Sequence, residues 1–234
     1  MSIINGQGRV GIRSGAAPPT SNPLWNNLVA YYTGDNTSND TKGTANGTLV
    51  NGATYATGKI NNGFSFDGVN DYVNFPNDFF KPVSNFSANF WINTNNATTE
   101  QTIFTSVASN GYLGWRLFIS GGIVTFRTFP INTTLNGLST SASKYTASNW
   151  YMITVINDIS NGMNIYVNGT LAASNTIKQA ISWGSTTINR LGQNWDNGTV
   201  FNGKIDEVAL FNSALSATQL TELYNAGNGK QYPN

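Results

Sequence analysis

The sequence predicts an all-β protein, a sandwich of two antiparallel sheets, with one short helix near the C-terminus. Short runs rich in Val, Ile, Phe, Tyr and Trp recur from Leu24 onward between clusters of Asn, Gly, Ser and Thr, which is the pattern of strands joined by turns. Hydrophobic residues make up 39% of the 234 residues and aromatic residues 12%, enough to build a core. This length suits one large sandwich, so we expect a single main domain.

The predicted strands are bounded by these turn-forming clusters. In order they are Leu28–Tyr32, Gly63–Phe66, Tyr72–Phe75, Ser87–Asn93, Gln101–Ala108, Trp115–Ile119, Ile123–Thr128, Trp150–Asn157, Met163–Val167, Thr170–Ser174, Thr187–Leu191 and Gly203–Phe211. Asn168-Gly169 is typical of a type I′ hairpin turn, since both residues tolerate positive φ. The apolar residues after Ile205 break strict alternation, which predicts a bulge.

One helix is predicted after Ser216. Ser216 and Gln219 have the spacing of a capping box, and Gly227 is the expected stop signal. Leu220, Leu223 and Tyr224 fall on one stripe, so we expect the helix to cover the sandwich.

Composition excludes several classes of function. Twelve Lys and Arg residues stand against eleven Asp and Glu, without a run of like charge, so we expect no nucleic-acid partner. The chain has no cysteine and no histidine, which excludes disulfides, thiolate metal sites and Ser-His-Asp or Cys-His catalysis within it. It has no apolar run of about 18 residues and no signal-peptide pattern, so we expect no membrane span and no export signal.

Residues 1–23 are predicted to be an arm and a Pro-rich linker, ahead of a domain that spans residues 24–234. A free tail has little reason to expose apolar groups, and the arginines of the arm could pair with carboxylates of a partner. The expected anchoring residues are Ile3, Ile4, Arg9, Val10, Ile12 and Arg13. We expect them to dock on the strand edge of a larger assembly; a free terminus is the alternative.

Several sequence blocks carry a family resemblance. They are Leu28-Val-Ala-Tyr-Tyr, Gly58-Lys-Ile-Asn-Asn-Gly-Phe-Ser-Phe-Asp-Gly-Val-Asn-Asp-Tyr-Val, Phe86-Ser-Ala-Asn-Phe-Trp-Ile, Ile165-Tyr-Val-Asn-Gly and Phe201-Asn-Gly-Lys-Ile-Asp-Glu-Val-Ala-Leu-Phe. In this order, over residues 24–230, the chain resembles the laminin-G-like, concanavalin-A-like lectin and glucanase family. The resemblance implies a jelly-roll β-sandwich. The arm segment Asn5-Gly-Gln-Gly-Arg-Val-Gly-Ile-Arg resembles N-termini of tailed-phage structural proteins.

The resemblance also suggests a calcium site. Related pentraxins bind calcium through an Asp-Asn pair after a Phe-Ser-Tyr strand, and Asn70 and Asp71 are at the matching position. Calcium takes about six to eight oxygen ligands, and the region 133–147 offers no Asp or Glu to complete such a shell. Calcium at Asn70 and Asp71 is therefore one hypothesis. Turn hydrogen bonds made by Asp67 and Asp71 are the alternative.

Glycan binding by sandwich folds uses exposed rings beside amide-rich loops. The candidate ligand-binding residues are Trp195, Asn194, Asp196, Tyr112 and Trp115. Trp183 is a further candidate by loop context, whereas Trp91 and Trp150 are expected in the core. Packing of Trp195 against the edge of the sandwich is the alternative for that residue.

No enzymatic activity is expected. The Glu-x-Asp-x-x-Glu pattern of the related glucanases, which places paired carboxyl groups on one strand, is absent. Glu100, Glu207 and Glu222 fall in a loop, a strand and a helix. Asp206-Glu207, the only adjacent acidic pair of the sequence, is expected to tie a loop to the sheet.

Three functions stay open. The first is a phage capsid decoration or head-fibre protein on the virion surface. Its arm would bind virion capsid proteins, and its domain would bind glycans on a host or mucosal surface. Such a protein could form a homo-oligomer. Its basis is an extracellular type of fold and a cysteine-free polar surface without an export signal, and Met1 directly before the arm favours it. The second is a carbohydrate-binding or adhesion module of a secreted, extracellular bacterial protein. The third is a glycoside hydrolase-like enzyme.

Overall fold

The computed structural model describes residues 23–82, 84–129, 136–141 and 145–233. Within these ranges the chain forms fifteen strands, one α-helix and two short 3-10 helices. The strands are β1 (Leu28–Tyr32), β2 (Thr48–Val50), β3 (Thr54–Thr57), β4 (Asn62–Asp67), β5 (Tyr72–Phe75), β6 (Phe86–Thr94), β7 (Gln101–Ala108), β8 (Gly114–Ser120), β9 (Ile123–Phe129), β10 (Asn136–Ser139), β11 (Tyr151–Asp158), β12 (Gly162–Val167), β13 (Thr170–Ser174), β14 (Thr187–Leu191) and β15 (Asn202–Phe211). The helix α1 spans Ala217–Tyr224, and the 3-10 helices span Pro23–Trp25 and Asn225–Gly227.

Two antiparallel sheets form the sandwich, as predicted. The eight-stranded sheet has the order β13-β12-β11-β6-β15-β4-β3, with β1 also paired to β15. The seven-stranded sheet has the order β10-β9-β8-β7-β14-β5-β2. Sequence neighbours such as β14 and β15 lie in different sheets, so the connecting loops cross from one layer to the other.

A bulge in β15 lets one strand serve two neighbours. Its pairing with β6 shifts register between Asp206 and Ala209, and Glu207 has a φ of 49°. The first half of β15 pairs with β4 and the second half with β1. The irregularity predicted after Ile205 is therefore confirmed.

The main core lies between the two sheets and is rich in aromatic side chains. Phe64, Phe66, Val73 and Phe75 are buried there, as the alternation of β4 and β5 predicts. Phe75 packs against the Tyr32 ring with centroids 4.5 Å apart. Aromatic pairs of this kind add about 0.5–1.5 kcal/mol beyond the burial of their area.

A second apolar layer covers the outer face of the eight-stranded sheet. Leu220 and Leu223 of α1 are buried in it together with Trp25 and Trp91. Tyr224 stacks on Trp91 at a centroid distance of 5.9 Å and an interplanar angle of 14°. The helix thus covers the sandwich, as its apolar stripe predicts.

The capping box at Ser216 and Gln219 is confirmed, but the predicted helix end is wrong. Gln219 N donates to the Ser216 hydroxyl, and Ser216 N donates to the Gln219 side chain. The helix ends at Asn225, which adopts the left-handed conformation with φ 48°, rather than at Gly227. Asparagine tolerates the left-handed conformation because of its short polar side chain. Asn225 therefore ends the helix two residues before the predicted glycine.

All predicted strands are present, within one or two residues at their ends, and three strands were missed: β2, β3 and β10. The type I′ hairpin is confirmed, because Asn168 and Gly169 have φ values of 51° and 74°. The anchoring arm lies outside the described residues. Within the part of the chain that the structure describes, no helix combines the length and the apolar character that crossing a membrane requires.

Candidate functional site

One row of register partners crosses the outer face of the seven-stranded sheet. It consists of Thr48, Asn74, Arg190, Thr105, Arg116, Arg127 and Gly137. The neighbouring residues Leu191, Leu117 and Phe126 lie in the core, and successive side chains of a strand point to opposite faces. The row, called here the arginine row, therefore places three of the twelve basic residues on one outer face.

The loop after β14 lies over this face instead of projecting from the end of the sandwich. Gln193 and Val200 form a bridge, and Asn194 N donates to Thr199 O at 2.9 Å. The Thr199 hydroxyl is 2.7 Å from the Thr102 hydroxyl of β7. The segment 193–200, called here the covering loop, is thus held against the sheet.

Arg190 holds the covering loop from beneath. Its Nη1 donates to Gln193 Oε1 at 2.9 Å, to Asn194 O at 3.2 Å and to Asn197 Oδ1 at 2.6 Å. Its guanidinium also lies 4.5 Å from the centroid of the Tyr72 ring. These three contacts of one guanidinium nitrogen fix the shape of the loop.

Arg116 is a second support and is buried, with 7% of its surface exposed. Its Nη2 forms an ion pair of 2.9 Å with Glu100 and donates to the hydroxyls of Thr102 and Thr199. Burial lowers the pKa of Arg116, while the Glu100 carboxylate acts in the opposite direction. The ion pair therefore offsets part of the cost of burying the guanidinium.

Trp195 of the covering loop packs against the turn between β7 and β8, at the residue before Tyr112. The Trp195 ring packs on Gly111, where a Cβ would collide with it, and Gly111 has a φ of 78°. Tyr112 follows in the chain and is 75% exposed, while Trp195 is half-buried. Trp195 thus anchors the covering loop on the β7–β8 turn without being fully buried.

Asp196 is exposed, and its Oδ1 accepts from Asn194 Nδ2 at 2.8 Å and from Gly198 N at 2.9 Å. Asn194, by contrast, is 6% exposed, so its prediction as a surface ligand group is wrong. The amide is turned inward to brace the loop, and its Oδ1 is buried without a partner among the described residues.

The prediction of Trp115 as a ligand-binding ring is also wrong. Trp115 is wholly buried, with its ring 5.1 Å from that of Phe104 and 5.2 Å from that of Phe86. The alternation of β8 turns Trp115 inward with Leu117. Trp183 is half-buried, and its Nε1 donates to Pro82 O at 3.0 Å.

Of the two tryptophans expected in the core, Trp91 is buried and Trp150 is partly buried. Both pack in the layer beneath α1. Neither ring belongs to the outer face of the seven-stranded sheet.

At the predicted calcium position, Asp71 is a buried turn residue. Its Oδ2 accepts from Asp67 N at 3.0 Å, and its Oδ1 has no partner among the described residues. Burial raises the pKa of Asp71 although the Asp67 amide opposes the shift. Asn70 is exposed, and its carbonyl accepts from Asn51 Nδ2. Among the described residues no group of three or more acidic side chains could hold a metal ion, so calcium stays a prediction.

Asp206 ties a loop to the sheet. Its Oδ2 accepts from Lys59 N at 2.7 Å and Ile60 N at 3.0 Å, and its Oδ1 accepts from Glu207 N at 2.8 Å. Burial raises the pKa of Asp206 to about 7, although the three amides oppose this shift. These contacts give Asp206 a structural role, as expected from the sequence.

Glu207 is buried at the bulge, with one carboxyl oxygen accepting from Gln231 Nε2 at 2.8 Å and the other unpartnered among the described residues. Burial raises the pKa of Glu207 to about 8. A glutamate of the unfolded chain ionises near pH ~4. Between about pH 4 and pH 8 the folded state therefore retains a proton that the unfolded state has lost, and the free energy of unfolding falls as pH rises.

Glu207→Gln is expected to reduce this pH dependence, because the amide needs no proton to remain neutral when buried. Urea denaturation at about pH 5 and about pH 8 measures it. The unchanged protein should lose stability at the higher pH, and the variant should lose less. Equal slopes for both proteins would show that Glu207 does not titrate in this range.

A separate open cleft of 510 Å³ lies at one end of the sandwich. Its lining residues are Asn95, Asn96, Ala97, Thr98, Gly121, Gly122, Tyr145, Thr146 and Ala147. Its one ring, Tyr145, is 2% exposed, so the cleft offers amides and hydroxyls but no exposed ring face.

The three arginines of the arginine row were not predicted as site residues from the sequence. A signal was present, because Arg116 precedes Leu117 in β8 and Arg127 follows Phe126 in β9, so both arginines point outward if the leucine and the phenylalanine point inward. Their alignment in one row depends on the register between strands, which a single sequence does not show.

Comparison with known proteins identifies relatives of part of this chain. Non-toxic nonhemagglutinin type E of Clostridium botulinum is 25% identical over 176 residues, which are 74% of this chain and 14% of that protein. Botulinum neurotoxin type D of Clostridium botulinum D phage is 27% identical over 152 residues, 60% of this chain and 12% of the neurotoxin. The chain thus spans a small part of the length of these relatives.

Solved structures share the fold. Domain 4 of AbnA, an extracellular arabinanase of Geobacillus stearothermophilus in complex with arabinotriose, superposes with a TM-score of 0.69 at 20% identity, covering 84% of this chain and 97% of that one. The ligand-binding domain of botulinum neurotoxin serotype D, in complex with N-acetylneuraminic acid, gives a TM-score of 0.68 at 22% identity, covering 86% of this chain and 51% of that one.

The family model described as the concanavalin A-like lectin/glucanases superfamily matches residues 67–221. This range runs from the end of β4 into α1 and includes the strands β8 and β9 and the covering loop. The chain therefore belongs to the concanavalin A-like lectin/glucanases superfamily.

Proposed function

We propose that the chain is a non-enzymatic glycan-recognition module that binds its ligand on the outer face of the seven-stranded sheet, beside the covering loop. One observation carries this proposal: the half-buried Trp195 packs on Gly111, which directly precedes the exposed Tyr112. Aromatic rings cover the apolar faces of sugars, while amides and carboxylates bond their hydroxyls. Asp196 and Asn197, both exposed, supply such groups on the same loop.

The structural relatives support a glycan as ligand. The arabinanase domain, which is in complex with arabinotriose, is the more direct support, because this chain covers 97% of it. The neurotoxin domain is in complex with N-acetylneuraminic acid, but this chain covers only 51% of that domain. An arabino-oligosaccharide is therefore the first ligand to test.

The contacts of the three glutamates support a non-enzymatic role. Glu100 pairs with Arg116, Glu222 pairs with Lys230, and Glu207 is buried at the bulge. A glycosidase needs two carboxyl groups facing each other across a sugar, about 5–10 Å apart. Each glutamate here is instead engaged in holding the fold.

The outer face is favoured over the open cleft because of its rings. Sugar-binding sites usually combine an aromatic platform with polar groups. Beside the covering loop, Tyr112 is exposed and Trp195 is half-buried, whereas the ring of Tyr145 in the cleft is buried. Polar groups alone give a sugar little advantage over water.

Tyr112→Ala and Trp195→Ala are expected to weaken glycan binding by about tenfold or more each, since a stacked ring is commonly a dominant contact. A panel of immobilised oligosaccharides that includes arabinotriose identifies the ligand, and calorimetry then measures both variants. Tyr112→Ala should leave the melting temperature unchanged because Tyr112 is exposed. Leu171→Ala, which removes an exposed side chain from β13, is the matched control.

A panel without any bound glycan would contradict the proposal. Full binding by Tyr112→Ala and by a folded Trp195→Ala would remove the outer face as its location. Trp195→Ala is read together with its melting temperature, because Trp195 also packs on Gly111.

We further propose that this module stands on a phage virion, as a capsid decoration or head-fibre protein anchored by residues 1–23. This proposal rests on the sequence of the arm. Deleting residues 2–13 is expected to leave the melting temperature of the sandwich unchanged and to abolish incorporation into particles, which electron microscopy of purified virions measures. Normal incorporation of the truncated protein, or collapse of the sandwich, would contradict it.

A further inference from the structure

Two arginines face each other directly on the outer face. Arg116 of β8 and Arg127 of β9 are register partners, and both guanidinium groups lie over the Phe118 ring, 4.5 Å and 5.1 Å from its centroid. Like charges directly opposite each other destabilise a sheet. A negative charge nearby would therefore stabilise this pair by reducing the repulsion between the two guanidinium groups.

The fold supplies that charge to only one of the two. Arg116 has its ion pair with Glu100, whereas Arg127 has no hydrogen bond or ion pair with the residues that the structure describes. The Arg127 guanidinium is held by its ring contact and is half-buried. The ring contact fixes its position, and no described residue accepts a hydrogen bond from it.

Among the described residues, none fills the space beside Arg127. Its register partner on β10 is Gly137, and a Cβ built there would meet no atom within 4 Å. In the next row, the Thr125 and Ser139 hydroxyls lie 2.8 Å apart. A small group can approach Arg127 from this side and meet hydroxyl donors as well.

We infer that Arg127, stacked on Phe118 beside Arg116, binds the carboxylate of an acidic sugar, a uronic or sialic acid unit of the glycan. This inference rests on the proposed glycan function and names the class of ligand. A guanidinium matches a carboxylate with two parallel hydrogen bonds, and stacking on a ring orients it for that contact. Together with Glu100, which pairs with Arg116, the bound carboxylate balances the two like charges.

The other two arginines of the row, Arg190 and Arg116, are both in contact with the covering loop. Arg190 donates through Nη1 to three oxygen atoms of the covering loop. Arg116 lies beneath the same loop through its contact with Thr199. The acidic unit therefore binds at the β9 end of the row, and the neutral part of the glycan extends toward Trp195 and Tyr112.

Calorimetry with matched sugars tests the inference. The probes are trigalacturonate with its uncharged counterpart galactotriose, and sialyllactose with lactose. The unchanged protein should bind at least one acidic probe about tenfold more tightly than its uncharged counterpart, as one charge-assisted contact allows. Arg127→Gln should remove this preference, and Lys204→Gln, which removes the same charge from β15 in the other sheet, should keep it.

A second pair of variants avoids removing the arginine. Gly137→Glu places a carboxylate of the protein itself in the open space next to Arg127. It should raise the melting temperature and remove the preference for the acidic probe, while Gly137→Gln should keep the preference.

Equal affinity for acidic and uncharged probes, or no binding to any of the four, would overturn the inference. Retention of the preference in both Arg127→Gln and Gly137→Glu would overturn it as well. Binding of neutral sugars by the outer face would still uphold the glycan function, because that function depends on Trp195 and Tyr112 and is tested on the separate panel.

Discussion

Trp115→Ala is expected to lower the free energy of unfolding by about 3–5 kcal/mol, the range found when a large buried ring is removed from a core. The Trp115 ring is wholly buried and packs against Phe104, Phe86, Phe126 and Phe80. Three of these neighbours are fixed on strands of the two sheets, so they cannot collapse into the space left by an indole. Urea denaturation followed by circular dichroism measures the change.

Tyr112→Ala is the matched control for this experiment. Tyr112 lies two residues before the start of β8 and is 75% exposed, so the stability of its variant should change by no more than about 0.5 kcal/mol. A loss below about 1 kcal/mol for Trp115→Ala would contradict the burial of that ring.

Asp206→Ala is expected to cost about 2–4 kcal/mol, because it leaves three backbone amides without their acceptor. The amides belong to Lys59, Ile60 and Glu207, so the loop before β4 loses its connection to β15. Gly58 and Gly63 lie close around this carboxylate, where a Cβ at either position would crowd it. A water molecule has little room to replace the lost oxygen atoms.

Asp158→Ala controls for the loss of an aspartate that accepts amide hydrogens. Asp158 accepts from Ser160 N and Asn161 N in an exposed hairpin, where water can replace it. Its variant should lose about 1 kcal/mol or less. Equal losses for the two variants would show that Asp206 is not a special tie between loop and sheet.

The strands that the sequence did not predict share one position in the fold. β2, β3 and β10 are all edge strands. Edge strands are short and polar because they bury only one side and must not pair with other chains. Asn136–Ser139, for example, contains one buried residue, Leu138, which is too little apolar content for an alternating pattern to be recognised.

The central strands were predictable for the opposite reason. The β11 segment Tyr151–Asp158 and the β7 segment Gln101–Ala108 are buried over most of their length, and their apolar residues dominate the local sequence. The edge strand β13 was nevertheless predicted, because the turn at Asn168-Gly169 marks the hairpin to which it belongs.

The candidate site was only partly predictable. Tyr112, Trp195 and Asp196 were proposed because of their loop positions, and Trp115 was assigned to the surface for the same reason. Trp115 lies two residues before Leu117 in β8, so both side chains point to the same, inward face. This alternation is a more reliable signal than the position of Trp115 close to a loop. The packing of the Trp195 ring on Gly111 joins two loops that are far apart in sequence, and only the folded chain shows this contact.

The most direct test of the glycan site is a titration of the isotope-labelled protein with the bound oligosaccharide, followed by nuclear magnetic resonance of its backbone amides. Our account predicts that the shifted signals cluster at residues 109–113, the covering loop 193–200 and the β8–β9 strands. Signals that shift instead around the cleft formed by residues 95–98 and 145–147 would contradict it, as would a titration in which no signal of the outer face responds.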